Sequence, residues 1–554
     1  MSILQLIRFL LRLSKHGTRP RLLMTVVIVA GVTSGLSNAA LVAVINLAIG
    51  PGGTGRGSLV YAFAGLCLLV AVSRFVSQYS LAYLSSRAVY ELRTRLCAQI
   101  LSTPLRKLEE LGPARLLAHL TDDVGTLSEA LVQLPVLLMN GAIIAGSLAY
   151  LGWLSWQLLL FVCAAMAIGV VGYRVPVVKS TGYFRRARES WNELFGGFQG
   201  LTQGIKELKL HRERRARFYE TRIVELAGRI RGLSLRGYSV LVAANVWGHL
   251  LFFIALGLVL FGAAKYVGLD PSIVSGYTLV LLFIVGPLES MLNMFSVMGR
   301  ARVAAQQLER LGEMLPEPRV PAAGSGPAAP RRWREIRLRE VVHRFAGEGG
   351  DGFMLGPVSL ELVPGELVFV VGGNGSGKTT LAKLILGLYT PESGEISLDG
   401  ERVGPENADD YRQLFSAVFS DFYLFDTLLG LEAPNLDERA GDYLVQLQLA
   451  HKVSVRDGVF STVDLSQGQR KRLALLTAYL ENRPVYLFDE WGADQDPAFR
   501  EVFYRQFLPA LRAEGKTAIV ISHDDRYFDV ADRLIELEYG RVRSKRGARE
   551  EVWR

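Results

Sequence analysis

Gly372-Gly373-Asn374-Gly375-Ser376-Gly377-Lys378-Thr379-Thr380 is the stretch whose reading decides the fold. It follows an apolar run, Leu367 to Val371, that reads as a buried strand, and it precedes a helical pattern from Leu381 to Leu388. Strand, glycine-rich loop and helix are the setting a phosphate-binding P-loop requires. The glycines let backbone N–H groups turn inward around phosphate oxygens, and the helix start adds its positive dipole end. In this setting Lys378 reaches β- and γ-phosphates, and the Thr379 hydroxyl holds Mg²⁺.

Downstream, Pro484-Val485-Tyr486-Leu487-Phe488-Asp489-Glu490 is an apolar strand ending in two acids. The first acid can orient water on Mg²⁺, and the second can polarise an attacking water. By itself such a strand end could simply meet solvent. Two further features accompany it: Leu465-Ser466-Gln467-Gly468-Gln469 opens the helical run Arg470 to Leu480, and the strand Thr517 to Ser522 ends at His523.

Upstream the chain changes character. The stretch from Pro316 to Pro330 is rich in Pro, Ala and Gly and reads as a linker between 1–315 and 331–554. The later part has ordinary soluble composition and size, with short apolar runs alternating with helical patterns, as an α/β domain requires. The earlier part holds most of the hydrophobic excess: the chain is 50% hydrophobic with mean hydropathy +0.24. Six apolar segments stand out: Leu22–Leu47, Leu59–Ser80, Leu131–Leu154, Trp156–Val178, Tyr238–Phe261 and Ile273–Met298. Each reaches the roughly 20 residues a helix needs to cross a bilayer. The first is too long for a signal peptide and lacks a small-residue cleavage site after it. The connections Pro51–Gly57, Gly152–Ser155 and Ala264–Pro271 are short and nearly uncharged. Lys15, Arg19 and Arg21 precede the first span, Arg87, Arg93, Arg95, Arg106 and Lys107 follow the second, and a dense basic run from Lys179 to Arg217 follows the fourth. The positive-inside rule therefore places both ends and both long connections in the cytoplasm. These residues account for much of the net charge of +9 and the pI near 9.3, so no nucleic-acid partner is needed.

The long connections are themselves helical. Ser86–Leu101 extends the second span and Tyr183–Phe195 extends the fourth. Two glycine-marked segments, Gly112–Leu120 and Gly200–Leu210, are placed to act as cross-segments against a cytoplasmic domain. Cys67, Cys97 and Cys163 show neither metal-ligand nor disulfide spacing and read as small apolar packing residues. Inside the spans, Arg74, Asn245, His249, Glu289 and Asn293 stand out. Intramembrane charge is costly and usually faces a cavity or a partner, so these residues are expected to line a polar cavity. Competing expectations are that Arg74 snorkels to the outer interface, or that Arg74 and Glu289 pair and hold two spans together.

The ordered motif set resembles the nucleotide-binding domain of ABC transporters, and with six spans the resemblance covers the chain almost end to end. It implies a multidomain fold: an all-α, six-helix transmembrane domain of exporter type and an α/β P-loop ABC nucleotide-binding domain. Gly372–Thr380 matches Walker A, Val485–Glu490 matches Walker B, and Leu465–Gln469 matches the signature, with Gln467 at its variable third position. Ala493-Asp494-Gln495-Asp496 sits at the D-loop, His523 at the switch histidine, and Phe345 at the aromatic that stacks on adenine. ATP contacts are thereby implied for Phe345, Gly372, Asn374, Gly375, Ser376, Gly377, Lys378, Thr379, Thr380, Ser466, Gln467, Gly468 and Gln469. Catalytic roles fall to Glu490 as general base and to His523. Mg²⁺ falls to Thr379 and, through water, Asp489. One position departs from the pattern: Ser420 stands where the Q-loop glutamine is usual, and its place near Mg²⁺ is left open beside a plain turn role.

Tyr411–Phe419 and Asp489–Pro497 look like the bacterial cyclic-peptide and siderophore-peptide exporters, of pyoverdine, syringomycin and microcin type. The resemblance implies a homodimer in the cytoplasmic (inner) membrane, since one chain has one P-loop and one signature, and each ATP is sandwiched between two chains. It also implies a peptide-like cargo. A lipid flippase and an ATP-gated channel or regulator are the alternatives. The outward loops are too short for a capture domain, no fused leader peptidase is expected before the first span, and periplasmic or outer-membrane export partners are left open.

Overall fold

A computed structural model describes residues 20–49, 56–263, 270–316, 332–345, 352–431 and 435–547. The expected linker lies, apart from Pro316, outside the described residues, as do Lys15 and Arg19. The chain divides into two compact units: residues 1–97 with 114–315, and residues 98–113 with 316–554.

The first unit is helical. Helices α1 (Pro20–Ile49), α2 (Arg56–Leu101), α5 (Val124–Leu154), α6 (Trp156–Gln203), α9 (Glu225–Gly257) and α10 (Pro271–Met314) contain the six apolar segments in order, the fifth running on into a π-helical turn at Leu258–Ala263. Among the described residues five helices are long and apolar enough to cross a membrane, and the apolar stretch counted at the start of α6, Trp156–Gly169, is shorter. As expected, α2 and α6 run well past their apolar parts. Short helices follow each: α3 (Leu105–Leu111) and α4 (Pro113–Ala118) after α2, and α7 (Ile205–Leu210) and α8 (Arg212–Phe218) after α6. The helices pack through a core of Leu151, Leu158, Tyr277, Val280 and Ile284, among others. Tyr277 Oη donates to the carbonyls of Leu151 and Ser155, bonding α10 to the α5–α6 turn.

Two expectations are corrected here. The three cysteines are exposed in the single chain, so they do not pack within it; they lie on helix faces this chain leaves uncovered. Glu289 pairs with His249, Nε2 to Oε1 at 3.0 Å, and not with Arg74. Ser290, its neighbour, accepts from buried Asn140 at 2.8 Å, so α10 carries adjacent polar contacts to α9 and α5.

The second unit contains α3 and the nucleotide domain. Its six-stranded sheet has the order β12-β11-β3-β10-β9-β6, with β3 (Leu367–Gly372), β6 (Phe415–Val418), β9 (Val485–Asp489), β10 (Thr517–Ile521) and β11 (Arg533–Glu538) parallel and β12 (Arg541–Gly547) antiparallel at one edge. The strands β9 and β10 are buried along their whole length, which explains their continuous apolar runs. A four-stranded antiparallel sheet, β2-β1-β4-β5, joins β1 (Ile336–Arg344), β2 (Met354–Leu362), β4 (Ser393–Leu398) and β5 (Glu401–Arg402). Helix α11 (Lys378–Ile385) follows the P-loop, α12 (Ala408–Arg412) and α13 (Leu436–Gln446) come next, and α14 (Gln467–Glu481) carries the signature at its start.

Helix α3 belongs to this second unit and ends just before the segment expected to serve as the cross-segment, Gly112–Leu120. Lys383 Nζ donates to Glu109 at 2.7 Å, Tyr389 Oη bonds the same carboxylate, Arg106 Nη1 meets Glu392 at 2.9 Å, and Leu105 packs on the core. The sequence places Gly112 at the beginning of that segment. With φ +77 and its N–H bonded to the Leu108 carbonyl, it is the end of a helix that starts after Pro104.

Candidate functional site

The site grows from the ends of neighbouring parallel strands. The strand β3 delivers the loop, and Gly377, at φ +99, turns it into α11. A Cβ there would stand 2.9 Å from the ends of the Leu355 and Phe353 side chains, so the conformation demands glycine and the space favours it. Asn374 and Gly375 lie exposed at the tip, Thr380 is half-buried in α11, and the Ser376 hydroxyl is buried with no hydrogen-bond partner. Lys378 is buried and lies along its own loop, donating to the carbonyls of Gly372 and Gly373 at 3.1 and 3.0 Å. Burial pulls its pKa down, against the opposing charges of Glu490 and Asp489.

Asp489 ends β9 at 1% exposure. Its Oδ2 accepts from Thr379 at 3.1 Å and from Ser420 at 3.4 Å, while Oδ1 has no partner. Burial raises its pKa, and the hydrogen bond from Thr379 opposes the rise. A buried carboxylate with one free oxygen beside a threonine hydroxyl fits a hard divalent cation that keeps most of its own water.

Glu490 adopts φ +49, a left-handed conformation unusual for glutamate. Its Oε1 lies 3.0 Å from His523 Nε2, and its N–H donates to the Ile521 carbonyl at 3.1 Å. The two expected catalytic groups are thus brought together by adjacent strands β9 and β10. Ser466 and Gln469 form a capping box on α14, with Gln469 Oε1 accepting from the Ser466 N–H at 3.3 Å. None of the hydrogen bonds of Ser466, Gln467, Gly468 or Gln469 reaches the P-loop of the same chain; Gln467 reaches Asp494 at 3.4 Å and Gly468 receives Gln495 at 3.0 Å.

Phe345 is half-buried and stands edge-on to His343 at 5.1 Å. Its N–H donates to the Phe353 carbonyl at 2.8 Å, and the two rings lie 6.5 Å apart. Phe353, against the P-loop glycine, carries no sequence signal of its own; only the β1–β2 pairing, with Arg344 opposite Met354, brings it there.

Two family models match this arrangement and the helices before it. The ABC transporter model covers residues 355–493, and the ABC transporter transmembrane region model covers residues 21–288. ATP-binding protein SyrD of Pseudomonas syringae pv. syringae is 38% identical over 524 residues, spanning 93% of this chain and 92% of that protein. The chain is an ABC transporter. It carries a transmembrane and an ATP-binding domain, it is a multi-pass membrane protein, and its likeness to SyrD supports the exporter branch. ATP-dependent lipid A-core flippases are also similar: that of Thiobacillus denitrificans is 28% identical over 86% of this ABC transporter and 84% of its own length, and that of Burkholderia pseudomallei 28% over 87% and 82%.

Proposed function

We propose that this ABC transporter works as a homodimer in the bacterial cytoplasmic membrane, with its ends and nucleotide domains in the cytoplasm, and that it exports a peptide-like cargo such as a cyclic or nonribosomal peptide or a siderophore precursor. The dimer reading is supported by one P-loop and one signature per chain, with no hydrogen bond between them among the described residues of one chain. Each ATP lies between the P-loop of one chain and Ser466–Gln469 of the other. Phe345 stacks on the base, and Lys378 binds the β- and γ-phosphates. Thr379 and, through water, Asp489 hold Mg²⁺, which neutralises phosphate charge when bound; Ser420 steadies the Asp489 carboxylate. Glu490 takes the proton of the attacking water. His523 orients Glu490 and meets the γ-phosphate side of the site. Phosphate contacts close the two nucleotide domains and loss of the γ-phosphate frees them, a two-state switch.

The observation that carries the cargo reading is the His249–Glu289 pair within the spans, with both side chains about half exposed in the single chain and Asn245 exposed one turn before His249. Polar groups at membrane depth suit a peptide better than an acyl chain. Arg74 is exposed as well, and the side chain of Asn293 lies outside the described residues. The flippase relatives favour a second reading, a lipid cargo. Reconstituted protein separates them: stimulation of ATPase by cyclic peptides and its loss in Glu289→Gln supports the peptide reading. Stimulation by lipid A alone supports the flippase.

A further inference from the structure

Lys471 lies on α14, two residues beyond the signature, where the sequence pointed to no role. Its side chain is 2% exposed, among the largest buried side chains in the chain. Lysine is almost never buried unless paired. Here Nζ lies 2.6 Å from Asp494 Oδ2 and donates to the Glu490 carbonyl at 3.0 Å. The Lys471 carbonyl in turn accepts from Nε1 of buried Trp491 at 3.0 Å. Neighbouring bonds reinforce the contact: Gln467 to Asp494, Gln495 to the Gly468 carbonyl, and Arg472 Nε to Gln495 at 2.9 Å. The segment from Glu490 to Gln495 is therefore fastened to one turn of the signature helix. Glu490 itself holds a left-handed conformation, which persists only where the surroundings over-determine it.

We propose that Lys471 is a positioning residue for ATP hydrolysis: it fixes the backbone of Glu490 and makes the signature helix and the D-loop move as one body. The inference rests on the assignment of Glu490 as general base. In the homodimer the signature of one chain faces the partner's ATP, whereas Glu490 faces the ATP on its own P-loop. Lys471 is then the physical link, within one chain, between the two nucleotide sites. Occupancy of one site sets the placement of the base in the other.

The two ends of the pair differ in burial, which makes the test practicable. Asp494 is 38% exposed, so it stays hydrated when Lys471 is removed. Asp494→Asn instead leaves a buried ammonium with neutral partners alone, the costlier loss. The experiment uses full-length protein in lipid nanodiscs, with ATPase measured over a range of ATP. Lys471→Met is expected to lower kcat by ~10–100-fold while KM stays within about twofold, the pattern of a displaced catalytic group. Added to Glu490→Gln, Lys471→Met is expected to change the residual rate less than about twofold, because residues acting as a unit are not additive. An unchanged kcat, a rise in KM alone, or an equal fold-loss in both backgrounds overturns the proposal. If Lys471→Met does not fold, Lys471→Met with Asp494→Leu removes both charges and repeats the test; failure of that variant to fold makes Lys471 a residue of the fold and also overturns it. Failure of the general-base assignment shows separately, as wild-type ATPase in Glu490→Gln alone.

Discussion

Glu490 is held at three points: its carboxylate by His523, its N–H by Ile521 and its carbonyl by Lys471. A base so fixed should be separable from binding. Glu490→Gln is expected to lower turnover by ~10²–10⁴-fold and to leave nucleotide affinity intact, read by ATPase assay and by binding of a fluorescent nucleotide. Normal turnover in that variant removes the role. His343 offers a different measurement. It is fully buried and stacks on Tyr389 at 4.9 Å. Burial, and then nearby Arg106, hold its pKa below the ordinary 6.5, with Glu392 and a backbone hydrogen bond with Thr390 opposing. The unfolded chain therefore binds the proton more readily. This contribution to stability is complete above pH 6.5 and falls as pH drops below it. Thermal unfolding from pH 7.5 to 5.5 should show a decline that His343→Phe makes shallower; identical slopes refute it. The motif residues were legible because phosphate chemistry demands fixed residue types at fixed spacing. Lys471, Trp491 and Phe353 were not, because their roles arise from contacts between segments that only the fold brings together.

At the scale of elements, α14 and the D-loop approach so closely that the signature glycine has a packing reason as well as a chemical one. A Cβ on Gly468 would lie 2.7 Å from the Asp494 carbonyl oxygen, a backbone atom that cannot swing away. Gly468→Ala should push the D-loop outward, cost about 1–3 kcal/mol of stability, and lower ATPase. An unshifted melting temperature with normal ATPase would show that the loop yields freely. Helix α3 makes a second case. Its Glu109 meets Lys383 and Tyr389, with Lys383 largely buried. Glu109→Ala is expected to destabilise the nucleotide unit by about 1 kcal/mol, since the pair is only partly exposed to screening; calorimetry that finds no change would place the contact among the neutral ones. The spans and their helical extensions were readable from length and hydropathy, and the buried strands from apolar runs. Strand order, the membership of α3 in the nucleotide unit and the His249–Glu289 pairing were not, since each depends on partners more than a span's length apart in sequence.

At the scale of the whole molecule, the apolar window of the helix containing α2 is only 6% buried within one chain. Lipid and a second copy are the surfaces that can cover it. Complementation tests the second copy directly. Lys378→Ala disables one chain's P-loop and Ser466→Arg disables one chain's signature, so each homodimer has two broken sites. In a mixed dimer both lesions fall on one site and the other is whole. Co-expression is expected to restore part of the ATPase, up to about half in dimers of mixed composition if the two sites turn over independently; no recovery, with mixed dimers shown by pull-down, refutes the shared-site arrangement. The placement of α3 has a last consequence, in time. Glu109 leaves the ribosome 274 residues before Lys383 and 280 before Tyr389. At roughly 5–20 residues per second, the surface that receives α3 emerges on the order of tens of seconds after α3 itself. The nascent chain therefore carries a docking helix with nowhere yet to dock, and the nucleotide unit matures only once β12 has been made. A fragment begun at residue 331 is missing its own earliest-made part, and a synthetic peptide of residues 98–113 should raise that fragment's melting temperature.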